Sequence, residues 1–139
     1  MMGAGRASPG AFAVKREHGL GDLVLLLPVL EKVSAEGRPV CVATRREWAD
    51  VFAKLCPAFS WVDTSGPGFV DLDSLTSSLR PAEHRTDEFG RLLGVAPPFK
   101  SPRLVVPPSW REPFAELRGC TVFAPEAEHE ARRWPLERC

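Results

Sequence analysis

Apolar positions along this chain fall into short blocks whose spacing switches between the period of a strand and the period of a helix. Ala11-Phe12-Ala13-Val14-Lys15 is an apolar run closing on a cation, the pattern of a buried strand. His18-Gly19-Leu20-Gly21 follows, and two glycines so close together permit a tight turn. Asp22 opens the run from Leu23 to Val33, where an acid in the first turn suits a helix start and Gly37 suits its end. That run is apolar nearly all round before Glu31, so the helix is buried at its N-terminal end, and Pro28 should kink it. Pro39 to Thr44 reads as a second buried strand.

From Glu47 to Leu55 the apolar residues Trp48, Val51, Phe52 and Leu55 form a helical stripe that stops before Pro57. Phe59 to Val62 is a short third strand, Thr64 to Gly68 a turn cluster, and Phe69 to Leu79 fits either a short strand or a short helix. Glu83 to Leu93 is helical, with Phe89, Leu92 and Leu93 on one face and Gly94 as its stop. Strand, helix, strand, helix, strand is the order of a parallel α/β sheet with flanking helices, a Rossmann-like arrangement.

Prolines at 97, 98, 102, 107 and 108 then mark an irregular crossing that includes Arg103-Leu104-Val105-Val106, a candidate edge strand. A short helix from Trp110 to Leu117 and a fresh strand, Cys120 to Ala124, follow. The organisation expected is a flexible lead-in over 1–10, a Rossmann-like domain over 11–96, a proline-rich linker over 97–118, and the start of a second domain over 119–139. A lone strand at 120–124 either adds to the first domain's sheet or leaves an apolar edge awaiting a partner, and the latter raises the expectation that the second domain is truncated.

Composition narrows the function classes. Eighteen basic residues balance eighteen acidic ones, so no bulk field favours nucleic acid. The cysteines, Cys41, Cys56, Cys120 and Cys139, form no C-x-x-C pair and no metal-ligand spacing with histidine, and Cys41 reads as a small buried hydrophobe. Their scatter fits a reduced, cytoplasmic compartment. The apolar run from Leu23 to Leu30 is far too short to span a membrane, and the first ten residues have no secretory h-region.

The chemistry concentrates at the glycine turn. Gly19, Leu20 and Gly21 would let backbone approach a ligand, and the helix start offers free N–H groups and a positive dipole end. The pattern is not G-x-G-x-x-G, because position 24 is Val, and it lacks the lysine of a P-loop. Asp22 at the mouth of such a crevice is a candidate proton acceptor, with a helix-capping role as its plainer alternative. Arg45, Arg46 and Lys54 offer a basic face, His18 and His84 are secondary candidates, and His129 stands among Glu126, Glu128 and Glu130.

Four segments in order resemble glycosyltransferase family 9, the heptosyltransferase-like group. Gly19-Leu20-Gly21-Asp22 with Pro28-Val29-Leu30 is similar to its G-x-G-D opening, and the strand and helix from Val40 to Leu55 to its next segment. His84-Arg85-Thr86-Asp87-Glu88-Phe89 resembles H-x-x-D-x-F, and Arg132-Arg133-Trp134-Pro135-Leu136-Glu137-Arg138 resembles K-R-W-P-x-E-R. The resemblance implies the N-terminal half of a GT-B architecture, with Asp22 as the base. It places Gly19, Leu20, Gly21 and Arg132 near the donor diphosphate; the basic face of Arg45, Arg46 and Lys54 would then suit an anionic acceptor, with plain solvated surface as its alternative. The donor implied is a nucleotide sugar such as ADP-heptose, and the acceptor a lipopolysaccharide-type glycolipid. Transfer in the family needs no metal or other cofactor. The setting implied is the inner face of the cytoplasmic membrane, with peripheral contact at most, and a second chain or domain would complete the cleft. A non-catalytic acceptor-binding module and an unrelated phosphate-binding α/β protein are the rival readings.

Overall fold

The computed structural model describes residues 10–63, 65–76 and 83–119. The chain divides into two compact units, Met1–Val106 and Pro107–Cys139. In the first, strands β1 (Phe12–Lys15), β2 (Val40–Ala43), β3 (Ser60–Val62) and β4 (Val70–Asp71) form one parallel sheet in the order β3-β2-β1-β4. The α/β reading therefore holds. Helices α1 (Leu20–Ala35), α2 (Arg46–Leu55), α3 (Leu72–Leu75) and α4 (Arg85–Leu93) connect and cover the strands.

The core follows from the two periodicities. Val14, Val40 and Val42 of the central strands meet Leu23, Leu26, Leu27, Leu30 and Val33 of α1, all essentially excluded from solvent. At roughly 1.5–3 kcal/mol per buried aliphatic side chain, this helix supplies the largest share of hydrophobic stabilisation. Phe52 of α2 stacks on Trp61 of β3 with ring centroids 4.9 Å apart, and Phe89 of α4 is fully buried. Val51, expected on the inward stripe of α2, is 37% exposed, and Ala49 is buried in its place.

Both glycine stops lie where backbone chemistry needs them. Gly37 has φ 80°, with its N–H on the Ser34 carbonyl at 2.9 Å and Arg38 N–H on Val33 at 3.4 Å. Gly94, at φ 68°, ends α4 in the same way, Val95 N–H reaching the Gly90 carbonyl at 2.8 Å. These are helix ends in which a left-handed residue lets the last carbonyls be paired. Helix α1 runs through Pro28, whose missing N–H leaves the Val24 carbonyl without its helical partner. The next carbonyl, Leu25, accepts a 2.8 Å bond from the buried Thr86 hydroxyl of α4, which ties the two helices together at this point.

Three expectations need adjustment. Helix α1 begins at Leu20, two residues before Asp22, because the Gly19 carbonyl already accepts from the N–H groups of Asp22 and Leu23 at 3.1 and 3.2 Å. The ambiguous stretch after Phe69 is both alternatives in turn, β4 and then α3. Residues 103–106 are not a strand. They run extended beside α1 and α2, Arg103 N–H on a Glu31 carboxylate oxygen at 2.8 Å and Val105 N–H on the Leu55 carbonyl at 2.9 Å. The compact unit accordingly reaches Val106, beyond the boundary at 96 expected from the prolines. Phe99 explains part of this, since its ring lies against Gly90, where a Cβ would run into the ring and stand 2.8 Å from the Val95 carbonyl.

In the second unit the described residues form α5 (Pro108–Arg111), with proline in its first turn, and a 3₁₀ helix, Glu112–Leu117. The expected strand at 120–124, together with Cys120, Cys139, His129, Arg132 and Trp134, lies outside the described residues.

Candidate functional site

The chain winds β1, β2, β3 in one direction and then returns to place β4 on the other side of β1. The strand order therefore reverses between β1 and β4, and the carboxyl ends of these two strands are where a crevice of this fold class lies. Open α/β sheets bind ligands at such switch points. The loop from Arg16 to Gly19 and the start of α1 form one wall, and Asp71 to Thr76 form the other.

Arg16 joins the walls. It is 5% exposed, an unusual place for an arginine. Its Nη1 donates to the Thr76 hydroxyl at 2.8 Å and the Leu72 carbonyl at 3.3 Å, and lies 3.3 Å from Asp73 Oδ1. Its Nη2 pairs closely with Asp22 Oδ2. The guanidinium also lies over the buried Phe89 ring, 5.6 Å from its centroid. Nε alone has no acceptor among the described residues.

Asp22 faces the crevice with its side chain 24% exposed, and it is held from two sides. Arg16 takes Oδ2, and Arg85 Nε stands 3.7 Å from Oδ1. Gly19 closes on the same carboxylate. Its φ is 77°, which strains any side chain, and a Cβ there would crowd Asp22 Oδ2 at 3.2 Å. Gly21 has open room around it, so the second glycine of the pair is not required by packing.

Asp73 is the best-anchored group of the cluster. Its side chain is 10% exposed and accepts from Glu17 N–H at 2.7 Å and His18 N–H at 3.1 Å. The His18 imidazole Nδ1 is 3.1 Å from Asp73 Oδ1, while His18 itself is 72% exposed. Burial pushes the Asp73 carboxyl upward, but the two N–H groups, the His18 ring and Arg16 outweigh it and leave the group below the ordinary carboxylate value. On the rim, Glu17 at 3.3 Å raises Lys15 over a small opposing effect of burial, and Asp71 at 3.5 Å adds to the rise.

The sequence-expected residues are thus brought together only in part. Gly19, Leu20, Gly21 and Asp22 share the crevice mouth, whereas Arg45 and Arg46 stand exposed at the next carboxyl end along, after β2. Arg45 lies over the ring of its own helix's Trp48, 4.8 Å from the centroid. His84 caps α4, its Nδ1 accepting from Thr86 N–H at 3.3 Å. Sequence reasoning missed Arg16, Asp73, Arg85 and Glu88. Glu88 is 3% exposed and paired with Arg85, a three-residue helical spacing that was readable. No protein-family model, curated protein or solved structure matches the chain.

The larger cavities lie elsewhere. A groove of about 550 Å³ runs between Val24, Leu25 and Pro28 of α1, His84 and Thr86 of α4, and the segment around Phe99. Among the described residues no three His, Cys, Asp or Glu side chains gather as metal ligands, and no helix is long and apolar enough to cross a membrane.

Proposed function

We propose that this chain is the acceptor-side half of a sugar transferase of the family 9, heptosyltransferase-like type. In this reading it presents a hydroxyl of a lipopolysaccharide-type acceptor to a nucleotide-diphosphate sugar such as ADP-heptose, without a metal, at the inner face of the cytoplasmic membrane. The observation that carries the reading is a carboxylate, Asp22, in the first turn of the helix after β1, facing the crevice beside β4. Asp22 takes the proton of the acceptor hydroxyl there, and Gly19 to Gly21 face the donor diphosphate. Arg45 and Arg46, exposed one strand further along, meet the anionic part of the acceptor.

The guanidiniums of Arg16 and Arg85 face Asp22, Asp73 and Glu88, and the lone pairs that remain on Asp22 can accept from a neutral hydroxyl.

Amide NMR of the ¹⁵N-labelled chain tests it, with a Kdo-containing oligosaccharide and ADP added separately. The oligosaccharide is expected to perturb the amides from Arg16 to Asp22, and Asp22→Asn to weaken its binding about fivefold, or ~1 kcal/mol. A full response to ADP with none to the oligosaccharide would replace the transferase with a nucleotide-binding protein.

A further inference from the structure

One stripe of α1 is incompletely covered. Leu23, Leu26 and Leu27 are excluded from solvent, whereas Val24 and Leu25 are only half-buried. Val24, Pro28, Lys32 and Ala35 recur at helical spacing and floor a trough whose opposite wall is the segment 97–103. Two cavities, of about 550 Å³ and about 380 Å³, make up the trough and share Pro28, Pro98, Lys100 and Ser101. At about 1.5 Å of rise per residue, the floor from Val24 to Ala35 is roughly 16 Å long.

The two ends of the trough differ in chemistry. Val24, Leu25, Pro97 and Phe99 line the first, and Asp87 stands on its rim with His84. Proline has no N–H, so Pro97, Pro98 and Pro102 give an extended peptide no backbone donors for its carbonyls. A hydrocarbon chain has no such groups to satisfy. At the second end stand three cations, Lys32, Lys100 and Arg103, against one acid, Glu31. None of the three has a carboxylate within ion-pair distance among the described residues. Lys32 rests its ammonium on the Ala96 carbonyl and near the Phe99 ring, and Glu31 already accepts from Arg103 N–H at 2.8 Å. Positive charge at one end and Asp87 at the other give an anionic occupant a single favourable direction.

We infer that the trough binds a single-chain anionic amphiphile, its alkyl chain along Val24, Leu25 and Phe99 and its headgroup beside Lys32, Lys100 and Arg103. The chain covers the half-buried aliphatic surface, and the headgroup gives these cations the anion they lack. The trough takes no residue from the Asp22 crevice, so it stands or falls apart from the transferase reading.

Amide NMR of the ¹⁵N-labelled 139-residue chain tests it, with decyl phosphate kept below its micelle concentration. Decyl phosphate is expected to move the amides of Leu25 and Phe99 at one end and of Lys32, Lys100 and Arg103 at the other. Lys100 and Arg103 are exposed, so the double variant Lys100→Gln/Arg103→Gln keeps the fold. It should weaken binding about tenfold, the share of two surface ion pairs. Decyl maltoside binding as tightly as decyl phosphate overturns the anionic headgroup, and inorganic phosphate reproducing the whole response overturns the alkyl chain. An unchanged affinity in the double variant, or no response to decyl phosphate, sinks the proposal outright. So do trough amides that move with protein concentration alone, which would make this stripe a contact between copies of the chain.

Discussion

Replacing Arg16 with methionine removes the charge while filling most of the space, and it isolates what the guanidinium contributes. The variant loses the bonds to Thr76 and Leu72 and leaves Asp73, with a side chain only 10% exposed, without its cation. Stranding one member of a buried ion pair costs about 3–5 kcal/mol. Asp22 is 24% exposed and keeps Arg85 nearby, so water offsets part of its share, and the lower end, about 3 kcal/mol, is expected. Against a typical domain stability of about 5–15 kcal/mol that is a large fraction, equivalent to a fall in Tm of roughly 12–24 °C. Urea unfolding followed by tryptophan fluorescence reads it directly, because Trp61 stacks on Phe52 in the core. The midpoint should fall with the m-value unchanged. Arg16→Lys should lose less, since it keeps the charge and gives up only the two-pronged geometry. A loss under about 1 kcal/mol for Arg16→Met would refute the view that this residue holds the two walls together.

Two further outcomes follow from the same structure. Gly90→Ala gains about 1 kcal/mol of helix propensity but drives a methyl into Phe99 and the Val95 carbonyl, so a net loss of roughly 1–2 kcal/mol is expected in thermal melts, and a stabilised variant would contradict the packing described. Asp73 is depressed in the folded chain, so its contribution is complete above the ordinary unfolded value of 3.8 and is lost as pH falls through the lower folded value. Asp73→Asn should therefore flatten the acid limb of urea stability below about pH 4, and a limb identical to the parent would show that this carboxylate is not what acid titrates.

The parts of the fold set by local pattern were legible before any coordinates. The apolar run of β1, the near-continuous apolar face of α1 and the stops at Gly37 and Gly94 each follow from a few neighbouring residues. What escaped depends on partners far apart in sequence. Arg16 sits in the charged stretch Lys15-Arg16-Glu17-His18, where nothing nearby marks one residue for burial, and its burial comes from Leu72, Asp73 and Thr76, more than fifty residues away. β4 has only two residues, too few for any period to register. A local clue did exist, since Asp71 ahead of Leu72-Asp73-Ser74 is a helix cap, and its side chain accepts from Asp73 and Ser74 N–H. Of the site, the glycine turn and Asp22 were visible, but their counter-charges were not.

The shortness of β4 has a bearing on how the crevice behaves. It joins the sheet at only two register positions, Val14 beside Val70 and Lys15 beside Asp71, so little ladder energy ties that margin to the body. Local unfolding draws on such sparsely bonded margins first, at free energies well below that of global unfolding. Here that tendency is offset by side chains: Leu72 is fully buried in the core, and Arg16 with the N–H groups of Glu17 and His18 holds Asp73 and Thr76, so the margin is kept in place by packing and charge rather than by its ladder.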